Sequence, residues 1–211
     1  MPKRIFGRLI LKDARDSAYP MRLALVAPTV ASRFWRTGPI LDQGQTPECV
    51  AYATEEWLEA SPIRTFDGPT PDQIYQAAQM VDGIPGPHDG TTVRAALKVM
   101  QAEGRIANYL WATSVADVIQ WLLTRGGVIL GTNWYDGMMD THNGFVSISG
   151  SVLGGHGYFA YGYSASKAAI RCLQSWGRSW GQNGRFWLRT ADLARLLSED
   201  GEAVGAVEKK P

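Results

Sequence analysis

The chain has 211 residues, of which 45% are hydrophobic and 19% are charged, and its formal net charge is +1. Positive and negative residues are interspersed, so the sequence does not indicate a basic surface that would bind nucleic acid or an anionic membrane. The two cysteines, Cys49 and Cys172, are too few for a disulfide framework, which favours a reducing compartment over secretion.

The N-terminal stretch "MPKRIFGRLILKD" has the outline of a signal peptide. Its apolar run is interrupted by Arg8 and closed by Lys12, and no small-residue cleavage site follows. No stretch of the chain approaches the ~20 apolar residues that a membrane span needs. We therefore expect a cytoplasmic protein that is not secreted through a classical signal peptide.

Helical periodicity dominates the first half of the chain. It predicts helices within residues 49–62, 70–83 and 91–104, and a fourth within residues 114–127. In the second of these, Thr70 and Gln73 form a capping-box pattern around Pro71. Its expected buried stripe consists of Ile74, Ala77, Ala78 and Val81.

After residue 127, short β-rich runs separated by turn residues replace the helical pattern. The runs are "VILGTNW", "FVSIS", "GYFAYGYS", "AIRCLQSW", "RFWLRT" and "AVGAVE". They predict an antiparallel sheet or barrel. Together with the helices they predict an α+β fold, in which a helical lobe packs against a β lobe.

Cys49 stands where a turn-rich loop, "QGQTPE", becomes the first predicted helix. The free backbone N–H groups and the dipole of a helix N-terminus favour a thiolate, which is the nucleophilic form of cysteine. A catalytic thiol also needs an imidazole to take its proton and amide donors to bind the oxyanion. Gln43, just before this loop, is a candidate donor.

The chain has three histidines. His88 and His142 lie in polar stretches, which predicts solvated loop positions. His156 follows two glycines and opens the apolar run "GYFAYGY", so we expect it at the edge of the sheet. Asp136, Asp140 and His142 are possible metal ligands, but the stretch contains no second ligand cluster, so we predict neither a metal nor a cofactor.

The segments "QGQTPECVAYA", "GGHGYFAYGY" and "LQSWGRSWGQNGRFWLR", in this order, resemble the three signature blocks of papain-like cysteine proteases. The resemblance covers roughly residues 35–205. It implies a papain-like two-lobe fold with a cleft between a helical lobe and a β-barrel-like lobe. Residues 1–112 would then form an N-terminal strap and the helical lobe with the nucleophile, and residues 113–211 the β-rich lobe with the histidine.

Carried over by position, the resemblance implies four catalytic residues. Cys49 would be the nucleophile, His156 the general base and acid, and Gln43 the oxyanion-hole donor. Gln174 stands where the family has an asparagine that orients the histidine. Its side chain is longer by one methylene, which displaces the amide and weakens the family's geometry. Glu48 also departs from what the chemistry favours, because a carboxylate beside the thiol raises its pKa.

The resemblance also implies the walls of the cleft. Trp176 would shield the hydrogen bond of the histidine from water, and Trp180 would line the leaving-group side. Gly90 and Thr91 lie where the family holds the substrate backbone, and Gly155 would leave room in the pocket. The residues before Gln43 are too few for the family's usual inhibitory segment in addition to the strap.

These residues predict a cysteine peptidase that cleaves a peptide or protein substrate through an acyl-enzyme. An alternative is a papain-like domain with weakened catalysis that serves as a binding or structural component, for example in a phage particle. A third possibility is an amidase or transferase on the same scaffold. The compact, disulfide-poor form resembles bacterial and bacteriophage members of the family, which would make a virion-associated location and a protein assembly partner possible.

Overall fold

The computed structural model describes residues 4–24 and 27–208. Its α-helices are α1 (Cys49–Glu59), α2 (Pro71–Val81), α3 (Val93–Ala102), α4 (Val115–Thr124) and α5 (Thr190–Ser198). Its strands are β1 (Arg33–Phe34), β2 (Ile106–Trp111), β3 (Val128–Tyr135), β4 (Val152–Ser164), β5 (Ala169–Leu173), β6 (Arg185–Arg189) and β7 (Glu202–Glu208). Short 3-10 helices span Ala14–Ala18, Met21–Ala24 and Asp136–Met138.

The four predicted helices are all present, and local capping explains where they begin. The Thr70 side chain accepts from the backbone N–H of Gln73, whose side chain in turn accepts from the Thr70 N–H, so the capping box is confirmed. Ser114 caps α4 in the same way, through the N–H of Asp117. Such caps each stabilise a helix by roughly 1 kcal/mol.

One helical face differs from the prediction. Of the expected stripe of α2, Ile74 and Ala78 are buried, whereas Ala77 is only partly buried and Val81 is exposed. Helix α2 lies at the periphery, where it packs against α1 and α3. A peripheral helix of this kind needs a narrower apolar face than a central one.

The strands form one antiparallel sheet in the order β2-β7-β3-β4-β5-β6, and β1 pairs with β4 beside this path. The path is open, so the sheet is not a closed barrel. Strand β4 is the centre of the arrangement because it pairs with both β3 and β5 and packs against α1. Strands β7, β3 and β4 therefore lie side by side, and the first residue of α1 contacts β4 at Gly157.

Several elements differ from the prediction, among them one predicted strand, one missed strand and one missed helix. "FVSIS" is loop, apart from single bridges made by Phe145. Strand β2 and helix α5 were missed, although β2 pairs with β7 over its whole length. Strand β2 lies before residue 112, but its partner lies near the C-terminus, so only long-range pairing makes it a strand. The division of the chain near residue 112 stays a prediction.

The buried side chains form two clusters. One joins α1, α2 and α3 to neighbouring strands, and the other fills the space between the sheet, α4 and α5. The first cluster contains Cys49, whereas the second contains Trp134 and Trp176. The nucleophile candidate and the aromatic residues thus come from different cores that meet at β4. Within the described ranges, no helix combines the length and the apolar character that crossing a membrane requires.

Candidate active site

Cys49 is the first residue of α1 and its side chain is fully buried. The backbone N–H of Gly157 on β4 donates to the Cys49 Sγ over 3.3 Å. A thiol at this position faces the free N–H groups of the first helical turn, which stabilise a negative charge on sulfur. The helix N-terminus and the adjoining strand therefore both direct N–H groups at the sulfur.

His156 lies in the middle of β4, opposite Thr132 of β3, and not at the beginning of a strand as predicted. Its Nε2 is 2.7 Å from the Oε1 of Gln174. That amide oxygen also accepts from the backbone N–H of Ser175 over 3.2 Å, which fixes the orientation of the amide. Because an amide oxygen only accepts, Nε2 carries the proton in this tautomer.

The other ring nitrogen of His156, Nδ1, is buried and has no hydrogen-bond partner within residues 4–24 and 27–208. His156 directly precedes Gly157, whose N–H contacts the Cys49 sulfur. The nitrogen without a partner is therefore the one available to the thiol. Gln174 makes the contact that the resemblance implies, in spite of its additional methylene.

Aromatic side chains enclose the histidine. The ring centroid of Trp176 lies 5.1 Å from that of His156, and the centroid of Trp134 lies 4.8 Å away. Both tryptophans are fully buried, so water is excluded from the bond between His156 and Gln174. Trp176 was expected in this position, whereas Trp134 was missed. Its signal was the strand "VILGTNW", which could be placed beside His156 only once the register of β3 and β4 was known.

Burial changes the protonation of the pair. It raises the pKa of the Cys49 thiol, and the backbone N–H groups of Gly157, Gly7 and Val50 offset this only in part. Burial also lowers the pKa of His156 to about 4, against the opposing effect of its bond to Gln174. The structure thus holds a neutral thiol beside a neutral imidazole, which is the less reactive form of such a pair.

Gln43 is buried beside this pair. Its amide was predicted to point at an empty space in the cleft, but it does not. Its Nε2 donates to the carbonyl oxygen of Thr46 over 2.8 Å and to that of Ile5 over 3.4 Å. Its Oε1 accepts from the Ser175 hydroxyl over 2.7 Å. The Gln43 amide therefore donates to a carbonyl of its own loop, that of Thr46, and to a carbonyl of the N-terminal segment in the cleft, that of Ile5.

That segment, residues 4–9, lies along the cleft and forms a single β-bridge, between Arg8 and Thr91. The Thr91 N–H donates to the Gly7 carbonyl over 2.8 Å, and the Leu9 N–H donates to the Thr91 carbonyl over 2.9 Å. From the other side, the Gly155 carbonyl accepts from the Arg8 N–H over 2.9 Å. Thr91 was predicted to bind the substrate backbone and Gly155 to leave room in the pocket, and here both bind a segment of the chain itself.

The segment fits closely at two glycines, Gly7 of the segment itself and Gly90 of the loop beside it. A Cβ at Gly7 would lie 1.8 Å from the Pro47 carbonyl oxygen, and one at Gly90 would lie 2.2 Å from the Gly7 oxygen. Gly90 also has a φ of +90°, which other residues rarely adopt. The segment therefore closes the cleft over Cys49.

The two cleft tryptophans lie at the other end of the segment. The Arg4 guanidinium lies over the ring of Trp176 and donates to its carbonyl oxygen over 3.1 Å. Arg4 also forms an ion pair with Asp42 at 3.0 Å. Trp180 is nearly buried and donates its ring N–H to the Met139 carbonyl. The segment thus passes from the tryptophans, over Cys49, to Thr91.

The remaining candidates lie elsewhere. Cys172 is buried in the middle of β5, as expected for a structural residue. Asp136 accepts from the Ser151 N–H, and the nearest polar partner of the His142 ring is Asn143. Among the described residues, no three His, Cys, Asp or Glu side chains are grouped as a metal would require.

The geometry agrees with comparisons to solved structures. Xylellain, a cysteine protease from Xylella fastidiosa, superposes with a TM-score of 0.75 at 16% sequence identity, over 100% of this chain and 99% of that chain. The chain has the papain-like fold.

Two further papain-like structures match less completely. Digestive procathepsin L 3 from the larval midgut of Tenebrio molitor gives a TM-score of 0.68 at 15% identity, over 86% of this chain and 71% of that chain. The bromelain protease of Ananas comosus gives 0.62 at 13% identity, over 86% of this chain and 100% of that chain. No protein-family model and no curated protein matches the sequence. The papain-like fold is thus recognised through three-dimensional structure.

The closed cleft leads to a prediction for Gly7→Ala. The added Cβ would overlap the Pro47 carbonyl, and because overpacking of this kind costs about 1–3 kcal/mol, the segment should leave the cleft at least ~5-fold more often. We expect the rate of alkylation of Cys49 by a thiol reagent to rise by that factor. Ile10→Ala is the matched control, because Ile10 is exposed. Equal alkylation rates for Gly7→Ala and the unchanged chain would contradict the closure.

Proposed function

We propose that the chain is a cysteine peptidase that hydrolyses peptide bonds through Cys49 and His156. The observation that carries the proposal is the 2.7 Å contact between His156 Nε2 and Gln174 Oε1, which leaves Nδ1 for a thiol at the N-terminus of α1. The papain-like fold shared with cysteine proteases supports it. The substrate would be a peptide or protein segment that replaces residues 4–9.

The reaction follows from these positions once the segment has left. The Nδ1 of His156 takes the proton from Cys49, and the thiolate adds to the carbonyl carbon of the scissile bond. The Cys49 N–H and the Gln43 amide bind the oxyanion. The imidazolium, stabilised by Gln174, protonates the leaving amine, and water then hydrolyses the acyl-enzyme with His156 as the base.

Opening of the cleft would also activate the pair. Burial is the main cause of the shifted pKa values of both Cys49 and His156. Water admitted by departure of the segment would lower the first pKa and raise the second, and so favour the thiolate–imidazolium form. The segment therefore restrains the reaction both by occupying the cleft and by keeping the pair neutral.

The proposal is tested by covalent labelling. A peptidyl vinyl sulfone should label Cys49 and not Cys172, as located by mass spectrometry, and Gly7→Ala should be labelled faster than the unchanged chain. The same two proteins are assayed for hydrolysis of a peptide library. If neither protein is labelled at Cys49 and neither hydrolyses peptides, the peptidase function is wrong.

Gln43→Ala should reduce kcat in the Gly7→Ala background by about 10²-fold, because one oxyanion donor is lost. The matched control is Thr46→Ala, which removes a hydroxyl that donates to the Gln43 carbonyl and leaves the amide in place. Activity is measured with saturating substrate, and stability by thermal unfolding. A loss of stability with unaltered kcat would show that Gln43 only supports its loop.

Gln174→Asn distinguishes an enzyme from a domain with weakened catalysis. Since Gln174 Oε1 already lies at hydrogen-bond distance from His156, the shorter asparagine should lose the contact and reduce kcat by roughly 10-fold or more. Gln182→Asn, at an exposed glutamine, is the control for the same substitution. If Gln174→Asn increases the reactivity of the thiol, the weakened domain is the better description.

If the weakened domain is correct, the cleft would bind a peptide without cleaving it. The bacterial or bacteriophage type, a virion-associated location and an assembly partner rest on the sequence resemblance alone. They are tested separately, by isolation of the partners that remain bound to the Cys49→Ala protein.

A further inference from the structure

The side chain of Arg8 fills a deep pocket beside the candidate site. Only 1% of it is exposed. Its Nε lies 3.1 Å from the Glu202 carboxylate, and its Nη2 donates to the Asp200 carbonyl over 2.6 Å. The third nitrogen, Nη1, is buried without a hydrogen-bond partner in the described part of the chain. The pocket therefore offers a guanidinium one carboxylate and one carbonyl.

The strand next to Glu202 leaves room for the guanidinium. Gly131 of β3 stands opposite Glu202 of β7 in the sheet. A Cβ at Gly131 would lie 2.9 Å from the Glu202 Oε1 and 3.0 Å from the Arg8 Nε. Any larger residue at this position would therefore fill the space that the guanidinium occupies.

The pocket also has a fixed position relative to Cys49. Gly131 pairs with Gly157, whose N–H contacts the Cys49 sulfur. Along the segment, Gly7 lies over Cys49 and Arg8 is the next residue, on the side away from Arg4 and Trp176. The pocket thus takes the side chain of a residue adjacent to the one at the sulfur, on the side opposite to the tryptophans. Because the resemblance places the tryptophans on the leaving-group side, a substrate would place here the residue that precedes the attacked one. The segment, in which Arg8 follows Gly7, would therefore run in the direction opposite to a substrate.

The backbone around Arg8 is bound as an extended peptide, with Thr91 on one side and Gly155 on the other. This is how a sheet edge holds a peptide ligand while a pocket selects its side chain. Burial raises the pKa of Glu202, and Arg8 counteracts that shift. A carboxylate in such a place is stabilised by a cation and disfavours a neutral occupant.

We propose that the Glu202 pocket selects an arginine side chain in the substrate, at the residue that precedes the one attacked by Cys49, and that Arg8 occupies this pocket in the closed chain. Arginine is favoured over lysine because its planar group donates to the carboxylate and to the carbonyl at once. This substrate class rests on the proposed function, since the position is defined relative to Cys49.

The test measures binding without catalysis. The host is the full chain with Cys49→Ala and Arg8→Ala, which cannot react and leaves the pocket empty. Fluorescent peptides that differ only in arginine, citrulline or lysine at the selected position are titrated by polarisation. Citrulline has the shape of arginine without its charge, so we expect it to bind about 10²-fold more weakly than arginine, with lysine between the two.

In the host, Glu202→Gln should reduce the ratio of arginine to citrulline affinity to nearly 1, whereas Glu103→Gln, at a remote carboxylate, should leave it unchanged. Gly131→Ala fills the same pocket from the neighbouring strand and should weaken arginine binding independently. If Glu202 only anchors the segment, its substitution would strengthen the binding of all three peptides alike and leave the ratio intact, which would overturn the proposal.

The outcomes separate this proposal from the peptidase function. Hydrolysis with no preference for arginine over citrulline would disprove the pocket and leave the peptidase intact. Arginine-dependent binding in the host, with no hydrolysis or labelling in the Gly7→Ala protein, would disprove the peptidase and leave a pocket that binds arginine-containing peptides. Equal binding of the three peptides in a folded host contradicts the proposal directly.

Discussion

Cys49→Ala is expected to reduce kcat/KM for peptide hydrolysis by about 10⁴-fold or more, because no other group can form the acyl-enzyme. The effect is measured in the Gly7→Ala background, where the cleft is open, with an internally quenched peptide. Loss of the nucleophile should also abolish labelling by the vinyl sulfone.

Cys172→Ala is the matched control for the loss of a thiol. Cys172 is as fully buried as Cys49 but lies in the middle of β5, and burial raises the pKa of its thiol as well. We expect its replacement to leave kcat unchanged in the folded protein. Hydrolysis that survives Cys49→Ala, or is lost on Cys172→Ala without unfolding, would contradict the assignment of the nucleophile.

His156→Gln is expected to reduce kcat/KM by about 10³-fold or more, since the proton must then leave the thiol and reach the amine without a positioned base. Residues that act as a unit are not additive. The double variant with Cys49→Ala should therefore be no less active than Cys49→Ala by itself. If the double variant lost kcat/KM by the product of the two single losses, the two residues would act independently.

The same variant tests the burial of the imidazole through the pH dependence of stability. The pKa of His156 is lowered from 6.5 to about 4 in the folded chain, so the unfolded chain binds this proton more readily. The stability due to this group is complete above pH 6.5 and is lost as the pH falls towards 4. The loss by pH 4 amounts to roughly 3 kcal/mol.

The glutamine of His156→Gln does not titrate. Because the carboxylates titrate alike in both proteins, subtracting the free energy of unfolding of one protein from that of the other isolates the contribution of the histidine. We expect the difference in the free energy of unfolding between the two proteins, from urea titrations, to change steadily between pH 7 and pH 4. A constant difference would show that His156 is solvated in the folded chain.

Local signals were sufficient for the helices and for part of the site. Thr70, Pro71 and Gln73 predicted the start of α2 because capping involves neighbours in sequence. The turn before Cys49 predicted the start of α1 for the same reason. By contrast, β2 and Trp134 were missed because a strand edge and a ring contact are decided by partners distant in the chain.

The N-terminal segment shows the same division. Nothing in the sequence "MPKRIFGRLILKD" predicts an extended segment that lies across Cys49. That position depends on Thr91, Gly155 and Glu202, which the fold brings together from three separate parts of the chain. Both the pairing of an extended segment and the neutralisation of a buried charge require partners that local sequence does not identify.

By itself the sequence determined the helical starts, the placement of a thiol at one of them and the order of the blocks that resemble papain-like proteases. The tertiary structure decided which nitrogen of His156 is free, that the longer side chain of Gln174 still reaches the ring, and that the cleft is closed over Cys49. Hydrogen bonds depend on distances of a few tenths of an ångström between groups far apart in the chain. Those distances are set by the packing of α1 against the sheet, which spacing along the sequence does not specify.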